Sequence, residues 1–198
     1  MKRIIPAILV LFFLGSCATQ EKGLTYKSAS ESPLAIKKIY IQVKDVRQTK
    51  EILSPKVNEM KIWSGTGSVI NLFKRAAKRT EAGAASQGEA DIKRDFRDAM
   101  SLRLNNLGVT VIPVISDEGT TMTIDIERVL LDMSGSNFIA TVTYFARVSR
   151  DGTVFHKERV TGKTEKYNLF GQKTGQQVLN EAFSLAINNL DVKSFLSK

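Results

Sequence analysis

Few side chains of this sequence could do chemistry, because the chain contains one cysteine, Cys17, and one histidine, His156. A lone histidine in a strand-like stretch is typical of a strand surface. A serine nucleophile would also need a Gly-x-Ser-x-Gly turn, which the sequence lacks. Asp91, Asp95 and Asp98 are interleaved with basic residues, which is typical of a solvated helix face with local ion pairs. We therefore predict a non-enzymatic protein without catalytic residues, a metal ion or a cofactor.

The first residues have the layout of an export signal. Lys2 and Arg3 precede the apolar stretch Ile4–Leu14, which is shorter than the roughly 20 residues that span a bilayer. The run Leu14-Gly15-Ser16-Cys17 that closes it resembles the lipobox of bacterial lipoproteins. That resemblance implies acylation of the Cys17 sulfur, cleavage before Cys17 and acylation of the new amino terminus, and two such signals give stable anchoring. The alternative is an ordinary signal peptide that contains a cysteine.

The charge of the chain restricts its partners. The formal charge of +9 falls to +7 when Lys2 and Arg3 are removed with the signal peptide. A basic envelope protein can meet lipid phosphates or the carboxylates of peptidoglycan, whereas export excludes nucleic acid. Ala18 and Thr19 follow Cys17 without the aspartate that retains lipoproteins in the inner membrane. By analogy we predict a lipid anchor in the bacterial outer membrane, with the domain in the periplasm.

The composition divides the chain into three parts. Residues 1–16 are the predicted lipoprotein signal peptide, 17–34 an acylated cysteine with a flexible tether, and 35–198 a single periplasmic domain. An insertion at about 48–90 holds a loop and a predicted amphipathic helix at 69–79. The basic residues of that helix either contact anionic lipid or form the solvated face of a helix packed on the core, and they are Lys74, Arg75, Lys78 and Arg79.

Hydrophobic periodicity predicts the fold of the domain. Alternating apolar residues indicate strands near 36–46, 109–115 and through a meander from Met122 to Tyr167, with a hairpin turn at Asp151-Gly152. Helical spacing predicts one helix that begins near Ala90–Asp91 and ends before Gly108, which supplies its C-terminal stop. A second helix begins near Thr174, in a capping box with Gln177. The fold class is α/β (α+β), a single mixed, largely antiparallel sheet of about five strands with two main helices packed on one face.

The strand after Asp151-Gly152 is unusually polar. A simple two-residue register would place Lys157 opposite Ala146 and Arg159 opposite Tyr144. This mixture of charged and apolar residues predicts a β-bulge or an edge strand.

Asp45 and Arg47 stand two residues apart at the end of the first strand, so their side chains should share a face. They could pair with each other or with the backbone of a neighbouring loop, which would fix the insertion. The alternative is a recognition site for a carboxylate or a sugar.

The chain resembles the YajG-type uncharacterised bacterial lipoproteins. The resemblance rests on the lipobox at Cys17, Asp45-Val46-Arg47, Lys56-Val57-Asn58-Glu59-Met60, Leu104-Asn105-Asn106-Leu107-Gly108 and the meander with its turn. It implies a small outer-membrane lipoprotein and supplies no activity. We expect a binding or accessory module of the cell envelope, and its alternatives are an auxiliary subunit of an envelope transport or assembly complex or a peptidoglycan-binding module. The sequence leaves the oligomeric state open.

Overall fold

The computed structural model describes residues 24–28, 38–60, 87–114 and 119–196. Cys17 and the predicted helix at 69–79 lie outside these residues. No helix in the described ranges is both long and apolar enough to cross a membrane. In chain order the elements are β1 (Lys38–Asp45), α1 (Pro55–Asn58), α2 (Gln87–Asn106), β2 (Thr110–Ile112), β3 (Thr120–Ser134), β4 (Asn137–Arg150), β5 (Thr153–Tyr167), α3 (Gln172–Asn189) and α4 (Val192–Leu196).

The described strands form one five-stranded sheet in the order β2-β1-β3-β4-β5. β1 runs parallel to both of its neighbours, while β3, β4 and β5 form an antiparallel meander. The tight turn between β4 and β5 places Asp151 and Gly152 at φ values of 50° and 78°, the left-handed region that such a turn requires. The predicted mixed, largely antiparallel sheet is confirmed.

The core lies between one face of the sheet and the two main helices. Alternate residues of the strands are buried there, because successive side chains of a strand point to opposite faces. The ring of Phe96 on α2 lies edge-to-face with Tyr144 of β4 at 5.7 Å and with Phe183 of α3 at 5.0 Å. Both helices therefore pack on the same face and share one core, as predicted.

A β-bulge changes the pairing of β5 from the simple register. Ser149 pairs with Val154 and Val148 pairs with His156, so Phe155 is an extra residue in β5. As a result Glu158, not Lys157, stands opposite Ala146, and Val160, not Arg159, stands opposite Tyr144. The simple register was wrong. Both predicted features, the β-bulge and the edge strand, are present. The bulge moves Val160 to the core side, and β5 lies at the edge of the sheet.

The start of α3 also differs from the prediction. The helix begins at Gln172, and Gly171 occupies the N-cap without any side-chain cap. Thr174 lies within the first turn, where its hydroxyl accepts a hydrogen bond from the Phe170 amide at 3.1 Å. The capping box was therefore wrong. Gly171 starts the helix through a backbone bend at φ 55° that favours glycine.

Candidate functional site

The segment 24–28 has no regular secondary structure and is hydrogen-bonded to both α2 and α3. At one end the Leu24 amide donates to Asp95 Oδ2 of α2 at 2.9 Å. At the other end Asn106 Nδ2 of α2 donates to Ser28 Oγ at 2.9 Å. The segment therefore runs in the same direction as both helices, and Leu24 is its end nearest the helix N-termini.

Polar side chains at four-residue spacing on α3 hold the backbone of this segment. The Thr25 amide donates to Asn180 Oδ1 at 3.2 Å and the Lys27 amide donates to Ser184 Oγ at 3.0 Å. The Lys27 carbonyl accepts from Asn188 Nδ2 at 3.0 Å. Four helical residues rise about 6 Å and two extended residues about 6.6 Å, so the two repeats match. The match explains how a helix face can bind an extended chain without a sheet.

Leu24 and Tyr26 supply the apolar part of the docking. Both side chains pack against the hydrophobic core, and the Tyr26 hydroxyl donates to Asn188 Oδ1 at 2.7 Å. The flexible tether predicted for 17–34 is thus corrected for residues 24–28, which are bound to the domain. The polar, aperiodic composition of the residues around the segment predicted a tether and gave no indication of this docking. The only sequence signal was the two-residue spacing of Leu24 and Tyr26.

The docked segment limits how far the domain can lie from Cys17. A fully extended chain spans at most about 3.6 Å per residue, so Cys17 lies within about 25 Å of Leu24. A tether running freely to residue 34 would reach up to about 60 Å. Asp95, which the sequence placed on a solvated helix face, is one of the residues that set this distance.

Replacing Asn188 by alanine is expected to release the segment. The change removes the bonds to the Tyr26 hydroxyl and the Lys27 carbonyl, and each net hydrogen bond is worth about 0.5–1.5 kcal/mol. Hydrogen exchange of the Thr25 and Lys27 amides should accelerate by about tenfold, while exchange in the core strands stays the same.

Gln177→Ala is the matched control for this prediction. Gln177 lies on α3 and its amide nitrogen bonds Glu181 within the helix, not the segment. It should leave the exchange of both amides unchanged. Equal exchange in the wild type and Asn188→Ala would contradict the docking.

Asp45 and Arg47 pair directly, in a two-pronged arrangement. Arg47 Nε donates to Asp45 Oδ1 at 2.9 Å and Arg47 Nη2 donates to Asp45 Oδ2 at 2.7 Å. The Arg47 amide also donates to Asp45 Oδ1, and Arg47 Nη1 donates to the Lys50 carbonyl at 3.3 Å. Lys50 Nζ donates in turn to the Asp45 carbonyl at 3.0 Å. Two parallel bonds to a charged partner make this among the stronger kinds of pair.

The pair closes the loop that follows β1. β1 leaves the sheet after Asp45, and the chain returns to the same partner strand, β3, where Leu53 bridges Leu131. The Leu131 amide donates to the Ile52 carbonyl at 2.6 Å and the Ser54 amide donates to the Leu131 carbonyl at 2.9 Å. The Asp45–Arg47 contact therefore fixes the bend between two stretches that pair with one strand.

Burial and charge act in opposite directions on Asp45. Burial of the carboxyl opposes its ionisation, but the hydrogen bonds and the positive charge of Arg47 outweigh this and lower the pKa of Asp45. The side chains of Arg47 and Asp45 are 3% and 0% exposed, and Arg47 Nε, Nη1 and Nη2 all have partners within the loop. This geometry favours the structural interpretation and leaves no open guanidinium edge for a carboxylate or sugar.

The other candidate residues are not brought into a common site. His156 lies half-buried on β5 opposite Val148. Within 24–28, 38–60, 87–114 and 119–196, no three His, Cys, Asp or Glu side chains are grouped as metal ligands would be. Cys17 and the basic residues of the predicted helix lie outside the described ranges, and these basic residues are Lys74, Arg75, Lys78 and Arg79.

The structure is similar to several solved bacterial proteins, to different degrees. Protein XCC0632 from Xanthomonas campestris, assigned to the family model DUF330, has a TM-score of 0.55 and 14% identity over 87% of this chain and 96% of that chain. Protein CT253 from Chlamydia trachomatis has a TM-score of 0.46 and 8% identity over 81% and 96% of the two chains. A minor lipoprotein from Acinetobacter baumannii has a TM-score of 0.45 and 8% identity over 83% and 96%.

These comparisons define the fold and not the activity. The similarity to protein XCC0632 shows that the two chains share a fold, while the identity is too low to transfer a function. Protein-family models and curated proteins gave no match to the sequence.

Proposed function

We propose that the protein is a lipoprotein of the bacterial outer membrane, anchored by acyl groups on Cys17, whose periplasmic domain acts without catalysis as a binding or accessory module. The observation that carries this proposal is the docking of residues 24–28 between α2 and α3. A segment bound to both helices gives the domain a defined attachment to the chain that leads to Cys17. The lipobox supplies the chemistry of the anchor, and its relation to the YajG-type lipoproteins is part of the same proposal.

Cys17→Ser is expected to release the protein from the membrane, because an oxygen at this position cannot carry the thioether-linked lipid. The wild type should sediment with the outer membrane on a density gradient, and intact mass measurement should show an acylated Cys17. The variant should keep its signal peptide or appear in the soluble periplasmic fraction.

Ser16→Ala is the control, because it keeps a small residue before the cysteine and should leave sorting unchanged. An unmodified Cys17 in a soluble wild-type protein would refute the anchor. Sedimentation of an acylated wild type with the inner membrane would refute the sorting alone.

The identity of the partner can be tested separately from the anchor. Crosslinking in intact cells, followed by purification of the acylated protein, should recover either a defined envelope protein or peptidoglycan. A reproducible protein partner supports the accessory role, including the alternative of an auxiliary subunit of a transport or assembly complex. Recovery of peptidoglycan alone supports a wall-binding module, and turnover of a substrate by the purified protein would refute the non-enzymatic proposal.

A further inference from the structure

Three large apolar side chains are exposed together at the end of β5 and in the loop that leads to α3. Tyr167, Leu169 and Phe170 are 60%, 70% and 72% exposed. We call residues 167–170 the apolar tip. Single exposed apolar residues are common, but three in a run of four form a patch that is characteristic of an interaction site.

The backbone of the apolar tip is held in place, so its side chains are presented to solvent in a defined way. The Asn168 amide donates to the Ser136 carbonyl of the β3–β4 turn at 2.9 Å. The Phe170 amide donates to Thr174 Oγ1 at 3.1 Å. The loop is thus tied both to the sheet and to α3, although its large side chains have no place in the core.

The apolar tip lies at the same end of the domain as Leu24, the first residue of the docked segment. Thr25 bonds Asn180, and later residues of the segment bond later residues of α3, so Leu24 is the end of the segment nearest the N-terminus of α3. Gln172 lies about 12 Å before Asn180 along the helix axis, and the tip immediately precedes it. Cys17 lies within about 25 Å of Leu24, so the acyl chains and the tip can reach the same surface.

The residue types of this region fit a membrane interface. Leu169 and Phe170 are apolar. Tyr167 has a polar hydroxyl on an apolar ring, and such amphipathic aromatic side chains are enriched at the level of lipid headgroups. Lys173, three residues after Phe170, is exposed. Long basic side chains commonly extend toward headgroup phosphates. A lipid surface is therefore the occupant that the position and chemistry of the tip favour.

We propose that the apolar tip enters the headgroup region of the membrane leaflet that holds the acyl chains of Cys17. This inference rests on the proposed lipid anchor and deepens it. The acyl chains hold the protein on the membrane, while the tip and the docked segment fix its orientation. The end of the domain with the β4–β5 turn then faces away from the lipid, toward the periplasm.

Site-directed spin labelling of the acylated full chain tests the orientation. Because acylation consumes Cys17, an introduced cysteine carries the only free thiol of the chain. Leu169→Cys places a label in the tip. Val154→Cys is the matched control, since Val154 is a 51% exposed apolar residue at the opposite end of β5. Each protein is reconstituted into vesicles of phosphatidylethanolamine and phosphatidylglycerol, and collisions with oxygen and with a water-soluble nickel chelate are measured.

We expect the label at 169 to lose at least about threefold of its nickel collision rate on reconstitution and to gain collisions with oxygen. The label at 154 should keep its rates. Equal nickel access at both positions on an acylated, vesicle-bound protein overturns the orientation and leaves the anchor intact. Shielding of the label at 169 without vesicles, with dipolar broadening between labels, overturns it in favour of contact between protein copies. A Cys17 without acyl mass overturns both the anchor and this inference.

Discussion

Asp45→Ala is expected to lower the free energy of unfolding by about 3–5 kcal/mol, because it leaves the Arg47 guanidinium buried without its counter-charge. The loss also removes three hydrogen bonds from Arg47 to the Asp45 carboxylate that close the loop after β1. Urea unfolding followed by circular dichroism measures the change as a lower midpoint at constant slope. The β3 amides that pair with the returning chain, such as Leu131, should lose protection first.

Two controls distinguish the effect of losing the buried ion pair from the effect of losing an exposed one. Glu127→Ala removes the partner of Arg159, whose side chain is 68% exposed, and should cost at most about 1 kcal/mol. The double variant Asp45→Ala/Arg47→Ala should be less destabilised than the sum of the two single variants, because it leaves no unpaired buried charge. An Asp45→Ala protein as stable as the wild type that has lost binding to peptidoglycan would support the recognition hypothesis instead.

The same pair predicts how stability depends on pH. The pKa of Asp45 is lower in the folded than in the unfolded protein, so its stabilisation is fully present above the unfolded carboxyl pKa of about 4. It is lost as the pH falls from there through the lowered folded value. The difference in unfolding free energy between the wild type and Asp45→Asn should therefore shrink on acidification from pH 5 to pH 2.

The pH comparison needs the difference between two proteins, because other carboxyls titrate in the same range. A hydrogen bond from Ser54 is the main cause that lowers the pKa of Asp132, and this group is present in both proteins. Its contribution cancels in the difference. A constant difference across the acid range would mean that Asp45 does not titrate with folding.

The sequence predicted those parts of the fold that depend on residues close together in the chain. The alternation of Met122, Ile124 and Ile126 marks a strand with one buried face, and the Asp151-Gly152 turn forces the hairpin that follows. The apolar face of α2 was predicted because its apolar residues recur at three- and four-residue spacing, which places them on one side of a helix. The direct pairing of Asp45 with Arg47 is one of the two arrangements that the sequence left open. Strand geometry does not account for it, because β1 ends at Asp45 and Arg47 lies in the loop that follows.

The docked segment could not be predicted in the same way, because its stability comes from residues distant in sequence. The types of Thr25 and Lys27 do not distinguish them from tether residues. They are held by Asn180 and Ser184, which lie more than 150 residues later in the chain. Neither side of the contact has a local pattern that identifies the other. The polar composition of β5 indicated a bulge or an edge strand, but not that the extra residue is Phe155, since its position is defined only by pairing between two strands.

Gly162→Ala is expected to destabilise the protein by about 3 kcal/mol or more, at or above the upper end for an added buried methyl group. A Cβ at this position would lie 2.1 Å from the Ala182 carbonyl oxygen and 2.4 Å from the Ala186 nitrogen of α3. Both are backbone atoms of a helix, so no side chain can rotate away. The helix must move from β5, and thermal or urea unfolding should show the loss.

Two further variants test whether the cause is the close approach of the helix backbone to β5. Gly135→Ala adds a methyl group at a turn with no atom within 4 Å, so only its φ of +56° opposes the change, at a cost of about 1 kcal/mol. Adding Ala186→Gly to Gly162→Ala should not restore stability, because removing the Ala186 methyl leaves the clashing backbone in place. Recovery in that double variant would show that the methyl group, and not the backbone, was the obstacle.

The consequences of Gly162→Ala should extend to the docked segment 24–28, because α3 carries the side chains that bind it. A displaced α3 moves Asn180, Ser184 and Asn188 relative to Asp95 on α2, and the segment bonds both helices. The amides of Thr25 and Lys27 should therefore exchange faster in Gly162→Ala than in Gly135→Ala at equal distance from each midpoint. Since these residues lie far from Gly162 in sequence, such a change would identify α3 as the element that couples the sheet edge to the docked segment 24–28.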